Sequence, residues 1–159
     1  MTRNRRVSLV VVAVLMVFAL AGCSNKSKGT SAGGVTATTA AASAGPTTVN
    51  VVGGETPDGK LHLTVTPASV NAGPTTITFK NAGTMVHEVV VLKTDVPPDK
   101  LKVGADHKVS ESSSVGEVSE TERGKTKSTT IDMKPGKYVL VCNIAGHYEL
   151  GMFTAFSVS

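Results

Sequence analysis

Seven short runs of strand-forming residues, each closed by turn chemistry, limit what this chain can fold into. Leu61-His62-Leu63-Thr64-Val65-Thr66 alternates apolar and polar residues at the two-residue period of a half-buried strand. Thr75 to Lys80 does the same, with Ile77 and Phe79 on one face. Val49 to Val52, Val86 to Leu92, Ser128 to Met133, Lys137 to Cys142 and Phe153 to Val158 complete the set. Asn81-Ala82-Gly83 and Lys134-Pro135-Gly136 separate neighbouring runs with residues that make tight turns. No segment has the period of a long helix, and no internal repeat occurs. Short strands in this number are expected to close into an all-β sandwich or barrel.

The region before the first strand reads as two processing and linking segments. Met1 to Arg6 carries three Arg and no acid, and Val7 to Leu20 is apolar except for Ser8. A basic start followed by an apolar core is the build of an export signal. The core, about 14 residues, is short for a membrane span, which needs roughly 20. Leu20-Ala21-Gly22-Cys23 resembles a bacterial lipobox, which implies cleavage of residues 1–22 and lipidation of Cys23. Arg5-Arg6 also hints at twin-arginine export, but the residues after this pair fit that pattern poorly, so the general secretory route is expected. Ser24 to Thr48 is Ser, Thr, Ala and Gly with little apolar area, and reads as a flexible tether. About 25 such residues reach on the order of 25–30 Å. Residues 49–159 are then one domain of ordinary size, anchored by lipid to a membrane and facing the periplasm or cell exterior.

Removing the signal also corrects the charge. The chain has 16 Lys+Arg and 12 Asp+Glu. Three of the Arg leave with residues 1–22, and Lys26 and Lys28 lie in the tether. The domain itself is slightly acidic, so it lacks the basic footprint of a nucleic-acid binder. Within it, 93–127 is polar, charged and long for a connection without strands. It is expected to be a solvated insertion before the last three strands, with a short helix opening at Pro97-Pro98-Asp99.

Only two Cys occur, and with Cys23 lipidated Cys142 has no partner for an intrachain disulfide. A lone thiol in an oxidising compartment needs protection, and a metal ion provides it. Around Cys142 the sequence supplies the means: Cys142, His147 and Met152 are evenly spaced, four residues between each pair. Thiolate, imidazole and thioether are ligands that favour copper over zinc, magnesium or calcium. Strand parity puts His87 on the inward face with Val89 and Val91, and Cys142 at the end of a strand with Tyr138 and Leu140. Two strands and one loop can therefore gather His87, Cys142, His147 and Met152 at one end of a sandwich. His62 and His107 are expected on the surface, Met133 in the core, and Tyr138 as a corner tyrosine bonded to nearby backbone.

This combination resembles the cupredoxins, the blue-copper proteins. The likeness rests on Cys-x4-His-x4-Met, on a strand His after an Asn-x-Gly turn, and on Pro-Gly-x-Tyr before the Cys, and it covers residues 49–159. The spacing is closest to that of rusticyanin and the sulfocyanins. The resemblance implies a Greek-key β-sandwich holding one type 1 copper ion, with His87, Cys142 and His147 in a trigonal plane and Met152 as a weak axial ligand. It further implies an electron carrier, not an enzyme. His147 would reach the surface amid Ile144, Ala145, Tyr148, Leu150 and Met85, a docking patch for a redox protein such as a cytochrome, a terminal oxidase or a reductase, with simple loop packing the alternative for Tyr148 and Leu150. The protein is expected to be a monomer, and copper delivery is the alternative use of the same fold. One residue departs from the pattern: Glu88 follows the first His where many cupredoxins have Asn. Four His cannot build the extra copper sites of a copper oxidase, and one available Cys cannot bridge a dinuclear centre.

Overall fold

The computed structural model describes residues 45–159. The signal segment, Cys23 and most of the expected tether lie outside the described residues. The strands are β1 (Thr47–Glu55), β2 (Leu61–Thr66), β3 (Ser69–Val70), β4 (Gly73–Asn81), β5 (His87–Lys93), β6 (Ser114–Thr121), β7 (Thr126–Met133), β8 (Gly136–Val141) and β9 (Phe153–Val158). All seven expected runs are strands. β1 begins at Thr47, two residues before the expected domain start, and extends three residues beyond Val52. The one helical element among the described residues is a 3₁₀ turn, Pro98–Lys100, where a short helix was expected.

The strands form two sheets packed face to face. One has the order β2-β1-β4-β7 and the other β3-β9-β8-β5-β6. β1 runs parallel to β4, with Val49 beside Ile77 and Val51 beside Phe79. These four inward side chains meet Val89, Val91, Tyr138, Leu140 and Phe156 of the opposite sheet, and all are buried. The alternation seen in the sequence thus becomes the inner core of a sandwich. Each fully buried Val, Ile or Phe contributes about 1.5–3 kcal/mol relative to an exposed one. The Tyr138 hydroxyl donates to the Lys134 carbonyl at 2.6 Å, the bond expected of a corner tyrosine.

The stretch 93–127 departs from its expected role in two ways. First, Ser114–Thr121 is β6, the edge partner of β5. Its sequence is mostly polar because it lies at a sheet edge, and only Val118 and Thr121 are buried. Second, residues 101–109 cover the outer face of the second sheet. There Val90, Leu92, Val139, Val141 and Tyr148 form a second buried cluster with Val109, flanked by Leu101, Val103 and Phe153. A sheet apolar on both faces requires cover on both. This segment supplies it and is a structural layer, not a solvated excursion.

Candidate metal centre

The sheet ends place the candidate ligands. His87 is the first residue of β5, Cys142 directly follows β8, and Met152 directly precedes β9. β5 and β8 are adjacent and antiparallel, with Val90 opposite Val141. That register sets Cys142 beside the start of β5, where the Glu88 N–H points to the Cys142 Sγ at 3.5 Å. Residues 143–151 form the loop that carries His147. Its ends are joined by Cys142 N–H to Met152 O (3.0 Å) and Met152 N–H to His147 O (3.1 Å). Gly146 and Gly151, at φ 83° and 101°, take the left-handed turns this compact loop requires.

Three of the four expected residues present donor atoms to one another. The His87 Nδ1 and His147 Nδ1 are 3.2 Å apart, and the Cys142 Sγ is 3.3 Å from the His147 Nδ1 and 3.9 Å from the His87 Nδ1. A triangle with these edges has a centre about 2.0 Å from each corner, near the distance at which imidazole nitrogen binds a first-row divalent ion. The cluster is the one group of this kind among the described residues, and it is compatible with one type 1 copper ion. Met152 is fully buried, with its methyl beside Gly53 of β1. A Cβ at Gly53 would lie 2.9 Å from that methyl and 2.6 Å from the Leu63 side chain, so only glycine leaves Met152 its place.

Burial sets the protonation of the three donors. Burial raises the Cys142 thiol to about 11, against the Glu88 and Ile144 N–H groups that favour the thiolate. A metal must therefore displace a proton from sulfur. Burial lowers both imidazoles, and His87 further lowers His147, so both rings are neutral donors at pH 7. Of the three side chains, His87 and Cys142 are fully buried and His147 is half-buried.

Residues that sequence reasoning missed hold these ligands. The Glu55 Oε1 is 3.3 Å from the His87 Nε2. Asn143, next to Cys142, accepts from the Val109 N–H at 2.8 Å and donates to the Val109 carbonyl at 3.0 Å and the Glu111 Oε1 at 2.6 Å. The Tyr148 hydroxyl accepts from the Leu101 N–H at 3.0 Å and donates to the Pro98 carbonyl at 2.8 Å. Of the two readings of Tyr148, patch or loop packing, the structure shows packing: it is buried against the covering segment, where its ring lies 5.0 Å from that of Phe153. His107 lies on the surface as expected, but it pairs with Glu149 at 3.0 Å, and its carbonyl accepts from the Gly146 N–H at 2.9 Å. His62 is half-buried on β2 rather than facing solvent freely. Asn81 braces the turn that leads into His87. It accepts from the Gly83 N–H and donates to the Met85 and Thr121 carbonyls, fixing the turn before His87. Apart from Asn-Gly turn chemistry at Asn81, no local sequence signal marks these braces.

With the sandwich and the His-Cys-His cluster in place, the family can be assigned. The sulfocyanin (SoxE) domain family matches residues 28–159. The chain belongs to this family. Sulfocyanins are cupredoxins, and the nine-strand sandwich agrees with that fold. Auracyanin from Roseiflexus castenholzii has the same fold at 23% identity and a TM-score of 0.52, over 72% of this chain and 99% of the other. Rusticyanin from Thiobacillus ferrooxidans superposes at 22% identity and a TM-score of 0.52, over 72% and 79%. Auracyanin A from Chloroflexus aurantiacus, described as a "blue" copper protein, gives 22% identity and a TM-score of 0.51, over 72% and 100%. No curated protein matches the sequence.

Proposed function

We propose that this sulfocyanin-family protein is a lipid-anchored, extracytoplasmic electron carrier with a single type 1 copper centre. His87, Cys142 and His147 would hold the ion and Met152 would be its weak fourth ligand. The observation that carries this reading is the triangle of two imidazole nitrogens and one sulfur around a point about 2.0 Å from each. The ion would supply a one-electron couple, Cu(II) taking an electron from a reduced partner and Cu(I) passing it to an oxidised one.

The protein's part is to hold the donors still. The backbone bonds among Cys142, His147 and Met152, the Asn143 clamp and the Asn81 turn fix the donor positions through the fold. A geometry set by the scaffold leaves little to rearrange with each electron. His147 is the least buried member of the triangle, which supports it as the exit for the electron. Met85 and Leu150, on the loops that carry His87 and His147, are exposed apolar residues suited to brief contact with a redox protein. The anchor rests on the lipobox-like Leu20-Ala21-Gly22-Cys23. Fatty-acid labelling of the expressed protein should disappear in Cys23→Ala, and label retained in that variant would remove the anchor from this account.

The visible spectrum of the copper-loaded protein tests the centre. A strong thiolate-to-copper band that bleaches on reduction and returns on oxidation is expected. Met152→Leu should keep the colour and shift the Cu(I)/Cu(II) balance about tenfold, because a thioether ligand would tune the centre without creating the band. A colourless Cu(II)-loaded parent would sink the reading. Copper that passes readily to an acceptor chelator would turn it towards copper delivery.

A further inference from the structure

We infer that Glu55 is a positioning residue for His87: it fixes the ring proton on Nε2, turns Nδ1 towards the other donors, and biases the centre towards its oxidised state by its charge. This rests on the reading of His87 as a copper ligand. The His87 ring is fully buried, and its Nε2 has one polar neighbour among the described residues, the Glu55 Oε1 at 3.3 Å. A neutral imidazole carries one N–H, and a carboxylate only accepts. The proton therefore belongs on Nε2, and Nδ1 keeps the lone pair that faces His147 and Cys142.

The Glu55 carboxylate is itself held in place. Its Oε2 accepts from the Thr84 N–H at 2.7 Å and its Oε1 from the Met85 N–H at 2.9 Å. The approach is close enough that a Cβ on Gly83 would collide with the carboxylate and with the Gly54 Cα. Gly54 and Gly83 thus let the end of β1 and the turn before β5 close on each other, carrying Glu55 to the ring. Both N–H groups donate to oxygens that only a carboxylate offers twice over as acceptors, and hydrogen bonds of this kind favour the charged form. A carboxylate behind a ligating imidazole makes the ring a stronger donor and adds negative charge near the ion. Both effects favour Cu(II) over Cu(I).

Glu55→Gln in the copper-loaded, full-length protein tests this, with reduction potential and visible spectrum as readouts. The variant should retain the thiolate-to-copper band while its Cu(I)/Cu(II) ratio at a fixed potential rises about tenfold, which is 59 mV for a one-electron couple. A band like the parent's with a ratio changed less than twofold would reduce Glu55 to a clamp on the Thr84–Met85 turn and overturn the proposal. Should the variant fail to fold, the parent decides. Long-range ¹H–¹⁵N correlation of the reduced protein should show His87 protonated at Nε2 with a slowly exchanging proton, and a proton on Nδ1 instead would overturn it. A parent with no thiolate-to-copper band would remove the copper reading and this proposal together, whereas a coloured parent with an unmoved Glu55→Gln removes this proposal alone.

Discussion

Cys142→Ser should abolish the intense visible absorption of the copper-loaded protein and weaken copper binding at least a hundredfold. The band requires a thiolate, and a serine hydroxyl is not deprotonated at this site to replace it. Structural four-ligand metal sites deliver about 10–16 kcal/mol, so one ligand is worth roughly 3 kcal/mol. The metal-free fold should be little affected. Cys142 is fully buried, but serine is slightly smaller and its hydroxyl can accept the Glu88 N–H that now points at sulfur. Thermal unfolding of the metal-free variant, read beside its spectrum, separates the two effects. A coloured Cys142→Ser protein would remove the thiolate from the centre and with it the type 1 assignment.

Asn143→Ala should be the most damaging single substitution outside the ligands. Asn143 is 1% exposed, and its amide satisfies both the N–H and the carbonyl of Val109, itself 4% exposed. Truncation leaves two buried backbone groups without partners, at about 1–3 kcal/mol each. The Glu111 carboxylate also loses its 2.6 Å donor. In a domain near 100 residues each kcal/mol moves Tm by about 4–8 °C, so a fall of roughly 10–20 °C is expected. Because the same amide holds the covering segment to the ligand loop, copper loading should recover only part of the loss. Calorimetry of the metal-free and loaded forms measures both quantities, and a metal-free Tm within about 3 °C of the parent would refute the clamp.

The inner core and the ends of the loop that holds Cys142 and His147 were legible because each is local. Ile77 and Phe79 share a face by two-residue alternation, and Cys142, His147 and Met152 lie within one loop and its ends. What escaped depends on partners distant in sequence. β6 owes its strand conformation to pairing with β5 more than to its own polar residues. Glu55 acquires meaning only through His87, 32 residues later. The covering layer left a trace that alternation alone overlooks: Val89-Val90-Val91-Leu92 and Val139-Leu140-Val141 are continuous apolar runs, which signal burial on both faces. Tyr148 stayed open between patch and packing because nothing local ties a loop tyrosine to Pro98 and Leu101.

β1 spans Thr47–Glu55, nine residues, and at about 3.3 Å per residue it runs close to 30 Å. It begins where the chain enters the sandwich and finishes at Glu55, behind the ring of His87. Entry and centre are thus antipodal. The half-buried His147 lies at the Glu55 end of β1, away from where the chain enters the sandwich. Under the proposed role of an anchored carrier, a restraint upstream of Thr47 would leave the His147 end free to meet a partner.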